Sequence, residues 1–464
     1  MKYKTYPSLL LTSLLLAACG GGSGGADSGT QATGASAQGA QVSQVEQAAA
    51  GSESESESSS VVAVDVESDS DLPPELTLAA APDTDAVDMT DVAVANAGNT
   101  ATETAAPEPA GQTTTLLGTT TTSLYHLYVS PTGSDSNSGT KAAPFKTILK
   151  ASKVAKPGTT VHVAPGTYAG GFQTTTSGTA SARIRYVSDT KWGAKIVPAS
   201  GSTAGTGWSN RGSYVDIIGF EINGKDSAVW RNGLAATGSY NTIKGNRVHH
   251  VATGGTCTSQ GGSGINTHNY YGGYHIDVLD NVVHNVGITG CKYIQGIYTS
   301  TSGKVKNNLV YSIGNWGIHL WHDARNLDIS NNTIVKSGGG ITVGGGGYYR
   351  LSAPADYVNV SNNIVYGNAK GIWQQGDNGT HNTYTNNLSY NNTRANFSVG
   401  SSAISGSVSS NPQFVDYTAG NYQLKSTSPA VNRGSTKYAP VADLIGTPRP
   451  QGSTVDLGAY EYKY

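Results

Sequence analysis

The chain has 464 residues, 60 of them glycine, and its formal net charge of −2 conceals an uneven distribution of charge. Residues 20–123 hold sixteen of the 31 acidic residues and no Lys or Arg, whereas residues 124–464 hold 27 basic and 15 acidic residues, about +12. The composition of residues 20–123 excludes a folded domain there. A Gly-, Ser-, Ala- and Thr-rich acidic segment cannot bury enough apolar surface to offset its ordering entropy.

Residues 1–19 predict an export signal. Lys2 and Lys4 are followed by a short apolar run and by small residues, which is the order of a signal peptide, and the run is too short to cross a bilayer. The segment ends in Leu-Ala-Ala-Cys with glycine next, which resembles a bacterial lipoprotein box. The resemblance implies that Cys19 is lipidated and that Gly20, directly after it, directs the protein to the outer membrane. The alternative is an ordinary signal followed by a free or buried cysteine.

The chain is therefore expected to have three regions: a lipoprotein signal peptide (1–19), a disordered acidic linker (20–123) and one basic folded domain (124–464). A basic excess of this size favours a polyanionic partner. In the cell envelope, an acidic polysaccharide is expected as that partner rather than nucleic acid. The alternative is a solvated basic surface that has no partner. We expect the protein to be a monomer attached to the membrane through the lipid on Cys19.

Two series of short repeats alternate along the folded domain. The first is Asn-Asn flanked by apolar residues, as in VKNNLVY at 305 and VSNNIVY at 360. The second is Gly-Ile or Gly-Leu, as in GINTH at 264 and GIHLW at 317, and its spacing of 21 to 32 residues is typical of one coil of a β-solenoid. Strands are favoured over helices because apolar and polar residues alternate and Gly or Asn interrupts them every few residues. The asparagines are expected to form hydrogen-bonded ladders at the turns.

These segments resemble the repeats of right-handed parallel β-helix, pectin-lyase-like proteins, and the resemblance covers most of residues 125–464. The segment from 127 to 152 resembles the family's N-terminal cap, and the segments SPAVNRGS at 428 and GTPRPQGSTVDLGAYEY at 446 resemble a C-terminal closing segment. Within the cap, PFKTILKASKVA predicts a short helix whose apolar face covers the open strand edges of the first coil through Phe145, Ile148, Leu149 and Val154. The predicted fold is all-β, a right-handed parallel β-helix with a short N-terminal capping helix.

Cys257 and Cys291 are the two cysteines of the folded domain. In an exported domain, a lone pair of cysteines indicates a disulfide. Each precedes a Gly-Ile segment, so the disulfide is expected to join neighbouring coils.

The Gly-Ile series predicts which side chains share the outer face of the solenoid. If the isoleucines point inward, the residue after each points outward, because strand residues alternate sides. This places Asn266, Tyr298, His319, Thr342 and Trp373 in one column, with coils about 4.8 Å apart. A second outward column, two residues later, contains His268, Ser300, Trp321, Gly344 and Gln375. The segment NWGIHLWHD, residues 315–323, is thereby predicted to present the chemistry of the protein.

The first column contains the groups that β-elimination of a uronic acid requires. His319 is the candidate base, Tyr298 can donate or relay a proton to the leaving oxygen, and Asn266 can polarise the sugar carboxylate. Other polysaccharide lyases use similar groupings of His, Tyr and Asn or Gln. Lys292 and Arg325 are alternative neutralisers or bases, as in lysine-using β-helix lyases. Substrate contacts are predicted for His268, Trp321, His322, Trp373, Tyr270 and Tyr271.

The distribution of carboxylates separates the reaction classes. A glycosidase needs two carboxylates about 5 to 10 Å apart, and the outward columns contain no such pair. Calcium takes six to eight oxygen ligands, and carboxylates are too sparse near the outward columns to supply a cluster of them. No cofactor is therefore expected, with one Ca²⁺ ion at Asp323 as the alternative. The sequence predicts a polysaccharide lyase that cleaves an acidic polysaccharide. The alternatives are a glycan-binding or structural β-helix lipoprotein and a uronan C5-epimerase, which begins with the same proton abstraction.

Overall fold

The computed structural model describes residues 115–116, 119–120, 124–258, 261–399 and 404–464. It is a parallel β-solenoid of about nine turns, in which three parallel sheets run along the solenoid axis. Cys19, the predicted signal peptide and nearly all of the predicted linker lie outside the described residues. Two short antiparallel strands, β1 (Thr115–Leu116) and β2 (Thr119–Thr120), fall within the predicted linker.

The first sheet has eleven strands, in order β3 (Tyr125–Val129), β4 (Thr159–Val163), β7 (Ile184–Ser188), β10 (Val215–Ile218), β13 (Thr242–Lys244), β16 (Ile276–Leu279), β19 (Gly303–Lys306), β22 (Leu327–Ser330), β25 (Val358–Ser361), β28 (Thr383–Thr385) and β31 (Ile404–Ser405). The second has nine strands: β5 (Gly166–Ala169), β8 (Ala194–Val197), β11 (Glu221–Asn223), β14 (Arg247–Val251), β17 (Val282–Val286), β20 (Leu309–Ile313), β23 (Thr333–Val335), β26 (Ile364–Tyr366) and β29 (Leu388–Tyr390).

The third sheet also has nine strands: β6 (Phe172–Thr174), β9 (Thr206–Asn210), β12 (Asn232–Ala236), β15 (Gly262–His268), β18 (Ile294–Ser300), β21 (Trp316–Leu320), β24 (Gly339–Gly345), β27 (Lys370–Gly376) and β30 (Ala395–Ser398). An antiparallel pair, β32 (Phe414–Asp416) and β33 (Asn421–Leu424), follows the last coil. Each coil contributes one strand to each sheet, so residues far apart in sequence become neighbours on adjacent coils.

The Asn-Asn repeats build the turns between the first and second sheets. In each pair, the first asparagine has a positive φ, 56° at Asn307 and 54° at Asn331, a conformation that Asn tolerates better than most residues. The second is fully buried, as at Asn308 and Asn332. The backbone N–H and the side-chain Nδ2 of Asn308 both donate to Oδ1 of Asn332, at 2.9 Å each. The same contacts recur from Asn246 to Asn387, so the expected asparagine ladder is present.

The Gly-Ile repeats lie near the start of the third-sheet strands. A Cβ on Gly317 would lie 2.5 Å from Cγ2 of Ile334, and one on Gly340 would lie 2.2 Å from Cγ1 of Val365. Glycine is required here because the third sheet passes directly against side chains of the second. The isoleucine after each glycine then enters the core, where it is fully buried.

The predicted capping helix is α1 (Ile148–Val154), and its N-cap is Thr147, whose Oγ1 accepts a hydrogen bond from the N–H of Lys150 at 3.1 Å. Phe145 and Ile148 are buried, as predicted. The prediction for Val154 was wrong, because its side chain is 41% exposed. The helix instead buries Ala151, which lies one turn after Ile148. No helix among the described residues is long and apolar enough to span a membrane.

The C-terminal segment lies along the flank of the solenoid rather than across its end. Asn307 donates through Nδ2 to the carbonyl of Ala442 at 2.6 Å, and Asn362 donates to that of Ser435 at 2.8 Å. The asparagines of the turns that have a positive φ therefore hold this segment in place. A fully buried ion pair between Arg449 and Glu461, 2.7 Å apart, fixes its last turn.

The predicted disulfide between Cys257 and Cys291 is present, with 5.4 Å between the two Cα atoms. It joins the turn before β15 to the turn before β18. These strands are neighbours in the third sheet, so the bond connects adjacent coils, as expected.

Candidate functional site

The third sheet has the register that the Gly-Ile series predicts. Asn266 pairs with Tyr298, Tyr298 with His319, His319 with Thr342, and Thr342 with Trp373. The isoleucines that precede these residues, Ile265, Ile297, Ile318, Ile341 and Ile372, are all 0% exposed. The register of the first predicted column is therefore correct, and Asn266, Tyr298, His319 and Trp373 are partly exposed on the outer face. Thr342 is fully buried, so the prediction that it is exposed there was wrong.

The second predicted column is only partly formed. His268 pairs with Ser300, and Gly344 pairs with Gln375, but Ser300 and Gly344 are buried. The prediction that these two residues line the outer surface was therefore wrong. Trp321 follows the last residue of β21, and a Cβ on Gly344 or Gly376 would lie within 3 Å of its ring. The indole of Trp321 thus packs against the glycines of the next two coils, which is why Gly344 is covered.

Tyr298 and His319 form the centre of the site. Their rings are 5.1 Å apart between centroids, at an interplanar angle of 83°, and both side chains are partly buried. Burial, followed by the positive fields of His322 and Lys370, lowers the pKa of His319 to about 3. Burial, followed by Tyr349, raises the pKa of Tyr298. At neutral pH the pair therefore consists of a neutral imidazole, which can accept a proton, and a protonated phenol, which can donate one.

Buried polar atoms without a protein partner surround this pair. They are Oδ1 of Asn266, Oε1 of Gln295, Nδ1 of His319, Oγ1 of Thr342 and Nε1 of Trp373. Buried polar groups in folded proteins nearly always have hydrogen-bond partners. The concentration of such atoms on one face indicates that this face binds a polar ligand.

Asn266 is held in place by its neighbours on the preceding coil. Its Nδ2 donates to Oδ1 of Asn232 at 3.3 Å, and Oγ of Ser263 donates to the same oxygen at 3.2 Å. Oδ1 of Asn266 has no protein partner, and one of the two N–H donors on its Nδ2 is used in this contact. The oxygen suits a sugar hydroxyl, and the expected contact of Asn266 with the sugar carboxylate stays a prediction.

Lys370 is a candidate site residue that sequence reasoning missed. Its Nζ lies 4.8 Å from the ring centroid of Trp316 and 5.6 Å from that of Trp373. Burial, followed by the charge of Arg394, lowers the pKa of Lys370. Strand alternation gave no signal for it, because a residue two positions before an inward isoleucine should also point inward. The glycine between them faces the core as well, as the 2.5 Å between a Cβ on Gly317 and Cγ2 of Ile334 indicates, and the residue before that glycine lies on the outer side. At this position β21 has Trp316 and β27 has Lys370.

Neither of the alternative cations is brought to the centre of the site. Lys292 is exposed in the turn before β18, and its Nζ lies 5.1 Å from the ring centroid of Tyr293. Arg325 lies in the turn after β21 and is partly buried. Among the contacts of the described residues, none joins either side chain to Tyr298 or His319.

The segment after β21 organises the wall of the site. His322 has a φ of 54° and donates through Nδ1 to the carbonyl of Gly347 at 2.5 Å, and its ring stacks on Tyr349 with 3.8 Å between centroids. The ring of His322 also lies 6.1 Å from that of Tyr298. His322 therefore connects the Tyr298–His319 pair to the loop that follows β24.

Asp323 clamps two loops together. Its buried carboxylate accepts hydrogen bonds from Nδ2 of Asn269 at 2.7 Å and from the backbone N–H groups of Tyr349 and Arg350, at 3.1 and 2.7 Å. These donors occupy the oxygens that a metal ion would need. In addition, no group of three or more His, Cys, Asp or Glu residues within the described ranges is placed to hold a metal ion. The residues present do not fit a calcium site at Asp323.

The two clamped loops present a set of aromatic rings beside the site. His268 lies 5.8 Å from Tyr271 and 6.3 Å from Tyr349, and Tyr270 lies 5.4 Å from Tyr349, all between ring centroids. The predicted substrate contacts His268, Tyr270, Tyr271 and His322 are thereby brought together. Tyr349 was missed, since no repeat marks the loop that contains it.

A cavity of about 490 Å³ lies elsewhere, between the second sheet and the C-terminal segment. Tyr366, Phe414 and Tyr417 line it, with Asp416 and Lys425 as its charged groups. Those residues lack the unpartnered buried atoms that mark the third sheet. We therefore assign the functional site to the third sheet.

Residues 127–411 match the model of the family described as Pel9A-like, right-handed β-helix region. Among solved structures, the chain is similar to pectate lyase Pel9A, with a TM-score of 0.52 and 19% identity over 74% of this chain and 97% of that one. A rhamnogalacturonan lyase matches with a TM-score of 0.42 and 18% identity, over 60% of this chain and 84% of that one.

Among curated proteins, the uncharacterized protein YwoF of Bacillus subtilis (strain 168) is 58% identical over 43 residues. That match covers 9% of each chain, less than a tenth of the relative's length.

Proposed function

The chain belongs to the Pel9A-like right-handed β-helix family, and on that premise we propose that it is a polysaccharide lyase. Its substrate is an acidic, uronate-containing polysaccharide, which it cleaves by β-elimination on the third sheet. The observation that carries the proposal is the contact between Tyr298 and His319, beside Lys370 and a group of unpartnered buried polar atoms. The pectate lyase named above supports this reaction class as a relative of the same fold.

Elimination requires a base that removes the proton next to the sugar carboxylate. In the proposal this base is His319, whose imidazole is neutral when no substrate is bound. A pKa of about 3 makes it a weak base, whereas an efficient general base has a pKa near the working pH. A bound carboxylate would raise this pKa, because it pairs with Lys370 and places a negative charge beside the imidazole.

Lys370 takes the role of carboxylate neutraliser in the proposal. Neutralising the carboxylate makes the neighbouring C–H more acidic and stabilises the negative charge that develops there. Trp316 and Trp373 hold the ammonium group on the outer face. The free acceptor oxygens of Asn266 and Gln295 then suit sugar hydroxyls.

Tyr298 supplies the second proton transfer. The environment that raises its pKa keeps the phenol protonated, so it can donate to the leaving glycosidic oxygen. Its ring contacts that of His319, which places base and acid on the same side of the bound sugar. The proposal needs no metal ion in any step.

Hydrolysis fits the site less well. It needs two carboxylates flanking the bond, about 5 to 10 Å apart. Asp323 is buried in its loop contacts, and Oδ2 of Asp377 accepts a hydrogen bond from the hydroxyl of Tyr348 at 2.6 Å. Both are thus engaged in holding loops.

The proposal also includes the predicted location. A monomeric enzyme attached to the cell envelope through Cys19 would act on polysaccharide near the cell surface. Radiolabelled or clickable fatty acid on the full-length protein, absent from Cys19→Ala, would support this anchor.

The direct test is absorbance near 235 nm, where the unsaturated uronide absorbs, during incubation with a panel of uronate polymers. With a substrate identified, His319→Ala is expected to lower kcat by about 10² to 10⁴, and Tyr298→Phe to lower kcat with little change in KM. His275→Ala and Tyr390→Phe are matched controls on other faces and should retain full activity.

Three outcomes would overturn parts of the proposal. Near-normal turnover in His319→Ala removes His319 as the base, and Lys370→Ala then tests the lysine in that role. Salt-sensitive binding of a uronate polymer with no product at 235 nm indicates a glycan-binding protein. Deuterium uptake from D₂O into the uronate without absorbance indicates an epimerase.

A further inference from the structure

A cation and an aromatic ring form a fixed pair on the same side of the solenoid, at a distance from the catalytic centre. Arg211 follows the last residue of β9, and its guanidinium carbon lies 4.0 Å from the ring centroid of Tyr271. Nη2 of Arg211 also donates to the hydroxyl of Tyr271 at 3.0 Å. Within the described residues Arg211 forms no ion pair, and its side chain is exposed. The guanidinium is therefore oriented by Tyr271 while most of its N–H donors remain available.

The loop that holds Tyr271 is rigid in a way that favours binding. Asn269 is clamped by Asp323, and Nε of Arg350 donates to the carbonyls of Asn269 and Tyr270 at 3.1 and 3.2 Å. Nevertheless Tyr270 is 56% exposed and Tyr271 50% exposed. Aromatic rings that are exposed on a fixed backbone lose little entropy on binding a ligand, which is the property expected of a sugar-binding surface.

The electrostatic influence of Arg211 extends along this surface towards the catalytic centre. Burial, followed by the charges of His322 and Arg211, lowers the pKa of His268 to about 4. His268 lies between Tyr271 and Tyr349. The surface between Arg211 and His319 thus carries the positive Arg211 and the neutral His268.

We propose that Arg211, held by Tyr271 and flanked by Tyr270, is a second carboxylate-binding subsite for the same uronate chain. The backbone of Arg211 lies four strand steps from that of His319, through β9, β12, β15, β18 and β21, which is about 19 Å at the usual strand spacing, and its guanidinium lies on Tyr271, in the loop after β15. A sugar residue in a polymer is about as long as one step, so the chain would lie along the solenoid axis with several residues between the two sites. A planar guanidinium recognises a carboxylate through two parallel hydrogen bonds.

This inference rests on the proposed function and narrows its substrate class. A polymer with uronates at both positions, such as a run of consecutive uronates, satisfies Arg211 and Lys370 together. A short oligomer that reaches only the catalytic centre does not. The subsite should therefore affect long substrates and leave short ones unchanged.

The test compares size-fractionated oligomers of the polymer that gives the 235 nm product, a trimer and an octamer. Arg211→Ala is expected to raise KM for the octamer about tenfold, the value of one charge-assisted contact, with kcat unchanged and the trimer unaffected. Tyr271→Ala should reproduce the effect, and Arg211→Lys should restore part of it. Arg185→Ala is the control, because it removes the same charge from the first sheet, where Nε of Arg185 lies 3.5 Å from Asp216. It should change KM for neither the trimer nor the octamer.

Equal effects on trimer and octamer, or none on either, would overturn the subsite even if the lyase reaction is established. If no polymer is cleaved, calorimetric titration with oligogalacturonates separates the two claims. A length-dependent affinity that Arg211→Ala reduces keeps the subsite while the lyase proposal fails. An affinity that Arg211→Ala does not change rejects the subsite as well.

Discussion

The asparagine ladder gives a quantitative prediction for Asn332→Ala. The fully buried Asn332 side chain accepts two hydrogen bonds from Asn308 and donates one each to the carbonyl of Val305, at 2.8 Å, and to Oδ1 of Asn363, at 2.9 Å. Alanine removes all four and leaves the N–H of Asn308 without its acceptor. An orphaned buried group costs about 1 to 3 kcal/mol, and each of the other three hydrogen bonds contributes about 0.5 to 1.5 kcal/mol. The free energy of unfolding should therefore fall by about 2.5 to 7.5 kcal/mol.

Urea denaturation followed by tryptophan fluorescence measures this loss, and hydrogen exchange at the amide of Asn308 reports it locally. Asn359→Ala is the matched control, because its partly exposed side chain donates to Asp328 at 3.0 Å on the outside of the first sheet and should cost under about 1 kcal/mol. If Asn332→Ala were as mild as this control, and exchange at Asn308 were unchanged, the ladder would not be a major source of stability.

Three further predictions follow from other parts of the structure. Reduction of the Cys257–Cys291 bond, which spans 34 residues, should lower the free energy of unfolding by about 2 to 4 kcal/mol, and non-reducing mass mapping should recover the linked peptides. For the proposed lyase, kcat/KM should stay level as the pH is lowered from neutral to about pH 4, because His319 of the free enzyme is neutral above its pKa of about 3. The bound carboxylate raises the pKa of His319 in the complex, so kcat should begin to decrease at a higher pH than kcat/KM does as the pH is lowered. Gly340→Ala should cost about 1 to 3 kcal/mol in thermal or urea unfolding, because the new Cβ would lie 2.2 Å from Cγ1 of Val365.

The outer face of the third sheet could be predicted because one physical rule governs it. Side chains alternate in a strand, and parallel strands in register stack equivalent positions. Ile297 and Ile318 therefore determined where Tyr298 and His319 lie. The rule gives the direction of a side chain and not its exposure. Ser300 and Gly344 therefore occupy outward positions within β18 and β24 although both are buried, Gly344 beneath the ring of Trp321.

The two asparagines of each Asn-Asn pair differ in backbone conformation, which the ladder prediction did not take into account. The two asparagines of each pair have different roles, since Asn307 adopts a positive φ and Asn308 enters the ladder. Asn is among the residues enriched in the left-handed conformation, so the first position could be assigned to the bend. Its outward side chain then holds the C-terminal segment, a contact with a carbonyl 135 residues away that no local pattern encodes.

The candidate cations show why proximity in sequence misleads in a solenoid. Lys292 and Arg325 were the cations expected near the site, yet both lie in turns at the ends of the strands. Lys370 is 51 positions from His319 and only two strands away across the third sheet. Because one coil contains 21 to 32 residues, two strands that are two coils apart are separated by about 10 Å. A residue six positions further along an extended chain is roughly twice as far away. Candidate partners in this fold are therefore found by comparing equivalent positions of successive coils. On that basis Trp316 and Lys370, both two residues before an inward isoleucine, belong with His319 in one site.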